Sequence, residues 1–253
     1  MNKYSLYKNE DVIQEYDKDR YGGPFGQYLE NVEVETFLSM IDPESERILD
    51  LGAGTGKLSI PLILKSKEVL SVDSSANMLR VAGLKSHKLN IEIIAIISDA
   101  HYLSFRDRTF DCVVSSRLLM HLIDWEKGIK EICRVSRKEL VIDFPSNLSF
   151  ASLDILFKRI KRIFLPETQV YNKYSIGDIA KEIKKNGFQV VQTRKEFFIP
   201  FTLHRLFNHP KISNKIERIF RKFYITELFG NPVTIKAIRK NNSRNILPGE
   251  EIK

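Results

Sequence analysis

The chain has 253 residues, 43% of them apolar, with a formal net charge of +8. That length suits one α/β domain with an insertion, or two small domains, and the apolar share argues against extended disorder away from the ends. Only two cysteines occur, Cys112 and Cys133, both inside apolar patterns, so they read as buried reduced thiols and exclude a disulfide framework.

Residues 1–46 form a polar and aromatic segment containing Tyr16, Arg20, Tyr21 and the run Gly22-Gly23-Pro24-Phe25-Gly26. Its start has no signal-peptide core, and every apolar run falls well short of the ~20 residues that span a bilayer. A cytoplasmic protein is expected. A helix follows, with Val32, Val34, Phe37, Leu38 and Ile41 on its apolar side. Ile48, Leu49 and Leu51 then read as a buried strand ending in Asp50-Leu51-Gly52-Ala53-Gly54-Thr55-Gly56. Glycine suits such a turn because it reaches φ > 0 and lets a ligand approach the backbone.

Strand patterns recur at Val69–Asp73, Ile91–Ile97, Phe110–Ser116, Glu139–Phe144, Phe188–Ile199 and Pro232–Arg239. The continuous β-branched run Ile91–Ile97 is expected to be covered on both faces. Helices are expected between them: one capped by Ser74 or Ser75 and carrying Met78, one capped by Asp124, one opening at Ser175 and closing at Asn186-Gly187, and one from Lys211 to Tyr224. Alternation of strands and helices predicts βαβ units in a mostly parallel sheet. Regular alternation lapses between residues 145 and 174, which predicts a small cap, and residues 241–253 read as a polar tail.

A strand, a glycine turn and a helix N-terminus make a nucleotide-like site in open α/β sheets. Two familiar versions fail on spacing. G-x-G-x-x-G would need glycine where Lys57 stands, and G-x-x-x-x-G-K-[ST] would need glycine and a hydroxyl where Leu51 and Leu58 stand. Acidic residues end three successive strand patterns: Asp50, Asp73 and Asp99. Asp73 stands where an acid can accept hydrogen bonds from ribose hydroxyls.

Asp50, the glycines Gly52, Gly54 and Gly56, Asp73, Asp99 and Phe110-Asp111 together resemble the motif series of the class I S-adenosylmethionine-dependent methyltransferases. In detail the chain looks like the small-molecule branch that includes the ubiquinone and menaquinone biosynthesis enzymes. The resemblance implies a Rossmann-like, seven-stranded, mostly parallel sheet with helices on both faces, a small helical cap, and a last strand running antiparallel. It implies S-adenosylmethionine as cofactor, bound by Tyr16, Arg20, Asp50, Gly52, Ala53, Gly54, Gly56, Asp73, Ser74, Met78, Asp99, Ala100 and Ser116. Residues 1–46 would fold over the cofactor, with residues 47–240 as the catalytic domain. Arg20 is the candidate for the methionine carboxylate, because a guanidinium can hold it bidentately. His121 and Asp143 are the candidate proton acceptors, although methyl transfer can proceed by orientation and desolvation alone.

The segment after the fourth strand, Ser115-Ser116-Arg117-Leu118-Leu119, lacks the Pro-Pro pair of the amino-methylating nucleic-acid enzymes and the metal-binding aspartate of the catechol type. No metal and no nucleic-acid partner are expected. A non-catalytic relative that binds the cofactor or a partner is the alternative reading.

Charge is uneven. Residues 144–253 hold 21 Lys and Arg against 9 Asp and Glu, a balance of +12, whereas residues 1–143 hold 19 against 23, a balance of −4. Two segments place apolar residues opposite cations at helical spacing: Leu153–Phe164 with Lys158, Arg159, Lys161 and Arg162, and Ile212–Phe223 with Lys215, Arg218, Arg221 and Lys222. Each either packs its apolar face on the domain or meets an anionic membrane surface or a lipid-linked or anionic substrate.

Overall fold

The structure, a computed structural model, describes residues 21–149 and 172–240. Tyr16, Arg20, most of the expected cap, the basic segment Leu153–Phe164 and the tail lie outside the described residues. Seven strands are ordered β3-β2-β1-β4-β5-β7-β6: β1 Arg47–Leu51, β2 Glu68–Asp73, β3 Ile94–Ile97, β4 Phe110–Ser115, β5 Ser136–Phe144, β6 Phe188–Phe197 and β7 Asn231–Arg239. The first five pair in parallel, and β7 runs antiparallel between β5 and β6. The helices are α1 Gly23–Met40, α2 Ser59–Leu64, α3 Ala76–Lys88, α4 Trp125–Val135, α5 Ile176–Lys185, α6 Phe201–Phe207, α7 Pro210–Lys222 and α8 Ile225–Phe229. No helix among the described residues is long and apolar enough to cross a membrane.

Strand β1 is the hinge of the topology. Asp50 pairs with Ser71 of β2 on one side and Val114 of β4 on the other, so connections leave β1 in opposite directions and open a crevice beyond its C-terminal end. Apolar residues of β1, β4 and β5 are almost wholly buried. One cluster contains Leu49, Val113, Leu140 and Ile142 with Ile129 and Ile132 of α4. Another sets Ile48, Val114 and Val141 against Phe37 and Met40 of α1. The ends of the expected cap meet, with Asn147 N–H donating to the Tyr174 carbonyl at 3.0 Å and Tyr174 Oη donating to the Leu119 carbonyl at 2.7 Å.

Two expectations need correction. Strand β3 is an edge strand paired only with β2, and its residues are exposed, so its continuous apolar run does not mark burial on both faces. Helix α1 turns Phe25, Leu29, Glu33, Thr36, Phe37 and Met40 inward, leaving Val32, Val34 and Leu38 only partly buried; its core-facing side includes a carboxylate because that group is paired. The helix expected from Lys211 to Tyr224 is present as α7, Pro210–Lys222, and two short helices that the sequence did not suggest flank it. Asn208, in left-handed backbone, ends α6, Pro210 opens α7, and Tyr224, also left-handed, separates α7 from α8.

Glu139 of β5 ties distant parts of this frame together. It is buried, accepts from Asp42 N–H at 2.8 Å and Ser45 Oγ at 2.9 Å, and pairs with Lys236 of β7 at 2.8 Å. Glu139→Ala would strand Lys236 and two donors in the interior. The expected loss is about 2–4 kcal/mol, read as a lower urea midpoint with an unchanged slope.

Candidate cofactor site

The glycine turn is braced by β2. Gly52 N–H and Ala53 N–H donate to the Val72 carbonyl at 2.7 and 3.0 Å. Gly54 N–H donates to Asp73 Oδ2 at 2.9 Å, while Asp73 Oδ1 accepts from Ser75 N–H at 2.8 Å. Ser75 in turn caps α3 by accepting from Met78 N–H. Gly54 has φ +55° and a Cβ there would point into nearly open space, which is the geometry of a turn that a ligand approaches closely. Asp50 lies behind the turn, 1% exposed, and accepts from Ser59 Oγ at 2.6 Å. Burial pushes its carboxyl up to about 6, against the opposing pull of Ser59 and Lys57. Burial also raises Asp73, although backbone N–H groups of Ser75 and Gly54 oppose it.

A small cleft of about 50 Å³ opens beside this turn, lined in part by Asp50, Gly52, Ala53, Gly54 and Ser116, and also by Tyr21, Lys57 and Arg117. Its cations are held from below. Glu33 of α1 is fully buried, pairs with Lys57 Nζ at 2.9 Å, and pairs with the Arg117 guanidinium; Tyr21 Oη donates to it at 3.2 Å. Lys57 Nζ also donates to Ser116 Oγ at 2.7 Å. Ser116 Oγ donates to Asp143 Oδ2 at 3.3 Å, and Arg117 N–H donates to Asp143 Oδ1. Arg117 has φ +58°, a backbone state that a long side chain adopts only where the surroundings enforce it. Glu33 and Asp143 supply that enforcement.

The structure thus gathers Asp50, Gly52, Ala53, Gly54 and Ser116 into one cleft. Asp73 reaches it through Gly54. Gly56 backs the turn, where a Cβ would come within 3.1 Å of Ala82 on α3. Met78 is buried on α3 and Ser74 is exposed beside Asp73. Asp99 and Ala100 follow β3 outside the cleft lining. His101 donates its N–H to Asp99 Oδ1 at 2.8 Å, and its Nδ1 lies 2.6 Å from the same oxygen, so Oδ2 is left for a further donor. Burial works to raise Asp99, but the His101 bonds and Lys127 outweigh it and hold the carboxyl below its ordinary range. His121 ends a short 3-10 turn, Leu119–His121, away from the cleft lining. Asp143 is 1% exposed and sealed beneath Ser116 and Arg117.

Sequence reasoning missed Glu33 and Lys57 as site residues, and it marked Arg117 only by its place after the fourth strand beside Ser115 and Ser116. Glu33 carried a signal: it sits four residues from both Leu29 and Phe37, in register with an apolar face. A larger open groove of about 580 Å³ lies between α4, α5 and the 101–104 loop. Its walls carry Lys and Glu side chains and include no glycine, so the glycine cleft is the better chemical match to a cofactor. That cleft offers a close backbone approach at Gly54, a carboxylate with lone pairs to spare at Asp73, and two cations at its other end. This set fits S-adenosylmethionine, which carries ribose hydroxyls and an amino-acid carboxylate.

A methyltransferase domain model matches residues 48–139. The chain is 31% identical over 146 residues to the ubiquinone/menaquinone biosynthesis C-methyltransferase UbiE of Haemophilus ducreyi, covering 54% of this chain and 51% of that protein. It is also 31% identical over 164 residues to the demethylmenaquinone methyltransferase of Corynebacterium urealyticum, covering 58% of this chain and 69% of that one. The chain belongs to the class I S-adenosylmethionine-dependent methyltransferases. The alignment spans about half the length of the Haemophilus relative. The fold of this methyltransferase also matches the magnesium protoporphyrin IX methyltransferase of Synechocystis with bound SAH, at a TM-score of 0.62, 18% identity and 86% coverage of both chains.

One titrating group sits beside the methyltransferase cleft. Glu196 of β6 is buried, and burial, reinforced by Asp143, pushes its carboxyl from 4.5 up to about 7 against Arg117 and Lys57. A raised folded pKa means stability that is complete below the unfolded value and lost as pH rises through the folded one. Unfolding free energy should therefore fall between pH 4.5 and about 7, by on the order of 1–3 kcal/mol from this group. Glu196→Gln should flatten that decline in urea titrations run across the range; Asp50, common to both proteins, leaves a residual slope.

Proposed function

We propose that this methyltransferase moves a methyl group to the oxygen, nitrogen or carbon of a small molecule, and that the acceptor is anionic or lipid-linked. The observation that carries the cofactor half of this reading is the cleft in which the Gly52–Gly54 turn, braced by Asp73, faces Lys57 and Arg117. Held there, S-adenosylmethionine would supply an electrophilic methyl for transfer to the acceptor atom, with the thioether S-adenosylhomocysteine as the leaving group. Asp73 accepts from the ribose hydroxyls, Asp99 accepts from the adenine amino group, and the Ala100 N–H meets a ring nitrogen. Lys57 and Arg117 join Arg20 as candidates for the methionine carboxylate.

Proton removal falls to Asp143 in this reading, with His121 as the second candidate. Ser116 Oγ reaches both the cleft and Asp143, so it is the link through which a proton leaving the acceptor meets a carboxylate. Residues 1–46 would cover the cofactor, and residues 145–174, whose ends are pinned together, would cap the acceptor. The +12 balance after residue 143 supports an anionic acceptor or a position peripheral to an anionic membrane.

Incubation with methyl-labelled S-adenosylmethionine and lipid or cytosolic extracts should yield a labelled small molecule. Asp143→Asn should lower kcat by about 100-fold with cofactor affinity retained, and His121→Gln by less. Cofactor binding with no labelled product in either extract would favour the non-catalytic relative.

A further inference from the structure

Helix α7 is turned partly inside out. Its inward side is polar: Ser213 and Glu217 are buried. Glu217 accepts from Phe198 N–H and Ile199 N–H, each at 3.0 Å, just past the end of β6, and its Oε1 lies 2.9 Å from Nε2 of the buried His204. His204 Nδ1 lies 3.0 Å from Ser213 Oγ. Satisfying those two amides requires the carboxylate to face inward, and this rotates the apolar stripe of α7 to the side. One edge packs, with Phe220 against Phe198 at 4.4 Å between ring centroids. The other edge faces solvent: Ile212, Ile219 at 50% exposure and Phe223 at 65%, followed on the chain by Tyr224 at 72% and Leu228 at 60%.

A water-facing helix normally buries its apolar stripe. Here exposed aliphatic and aromatic groups border exposed cations on the same helix: Lys211, Lys215, Arg218 and Lys222. The acid within α7, Glu217, is buried, and Glu227 on α8 is exposed. Apolar groups that can enter an acyl boundary beside long cationic stems that reach back to head groups form an interfacial surface.

We infer that the exposed apolar edge of α7 and α8, flanked by Lys211, Lys215, Arg218 and Lys222, seats this protein on an anionic phospholipid surface. Charge selects this occupant over a second copy of the chain, whose identical cationic face would repel. The aliphatic character of Ile212, Ile219 and Leu228 selects it over RNA, since these side chains offer nothing to phosphates or to base stacking. Helix α7 packs against α1, the helix that carries Glu33 to the cleft, so the seated face adjoins the catalytic half. The inference rests on the proposed lipid-linked or anionic acceptor only for its purpose, not for its geometry.

The full-length protein should float with phosphatidylglycerol–phosphatidylcholine vesicles, release as salt rises, and stay behind with phosphatidylcholine alone. Lys215→Glu, Arg218→Glu and Lys222→Glu together should lower partitioning by at least about 100-fold. Ile219→Ser with Phe223→Ser should abolish it at moderate salt, while S-adenosylhomocysteine affinity stays at the wild-type value and certifies the fold. An environment-sensitive dye on Phe223→Cys should shift to the blue on acidic vesicles, and the same dye on Tyr102→Cys should not. No flotation, flotation indifferent to the α7 variants, displacement by RNA at equal charge, or dimers that the Phe223→Ser variant dissolves would each overturn the inference. Labelled product from a detergent-solubilised lipid extract without vesicle binding would leave the proposed acceptor class standing and remove only this surface.

Discussion

The cleft depends on one buried carboxylate. Glu33 is brought inward by α1, before the sheet begins, and holds a cation from each of two loops: Lys57 after the glycine turn and Arg117 after β4. An unpaired carboxylate at that depth would cost several kcal/mol, and losing it would leave both cations uncompensated. The pairing therefore fixes three chain segments to one another: the first helix, the turn after β1 and the loop after β4. Asp143 completes the arrangement by holding the Arg117 backbone, which sits in a left-handed conformation that nothing local favours. The side of the cleft opposite the glycines is built by electrostatics, and the glycine side by sterics.

The two sides answer different chemical demands. At the glycine side, Gly54 gives space, and Asp73 binds its N–H while keeping acceptor capacity. On the other side, positive charge lines the cleft without being left unpaired. A ligand with hydroxyls at one end and a carboxylate at the other is the natural occupant, in agreement with the family to which the chain belongs. Beyond orientation, the proposed reaction asks side chains for a proton route, which runs through Ser116 to the sealed carboxylate of Asp143.

Much of this was legible in the sequence. Strand and helix periodicity located all seven strands, and the antiparallel last strand followed from the family resemblance. Spacing of Asp50, the glycines and Asp73 located the turn, because those positions are constrained by backbone geometry within a single βα unit. Features set by distant contacts were not legible. The Ile91–Ile97 run looks like a doubly covered strand, yet β3 ends the sheet, since nothing local says which strand is last. The polar inward face of α7 was hidden for the same reason: Glu217 serves the amides of Phe198 and Ile199, some eighteen residues away. Glu33 could have been caught, as a charge in register with Leu29 and Phe37.

The central claim is that the braced glycine turn binds an adenosine-bearing cofactor through Asp73. Titration calorimetry with S-adenosylhomocysteine tests it most directly. The wild-type protein should bind S-adenosylhomocysteine and not NAD, and Asp73→Ala should weaken binding by about 1–3 kcal/mol, the scale of an unmade hydrogen bond to a charged group. Equal affinity in the variant, or binding of NAD in place of S-adenosylhomocysteine, would contradict the account.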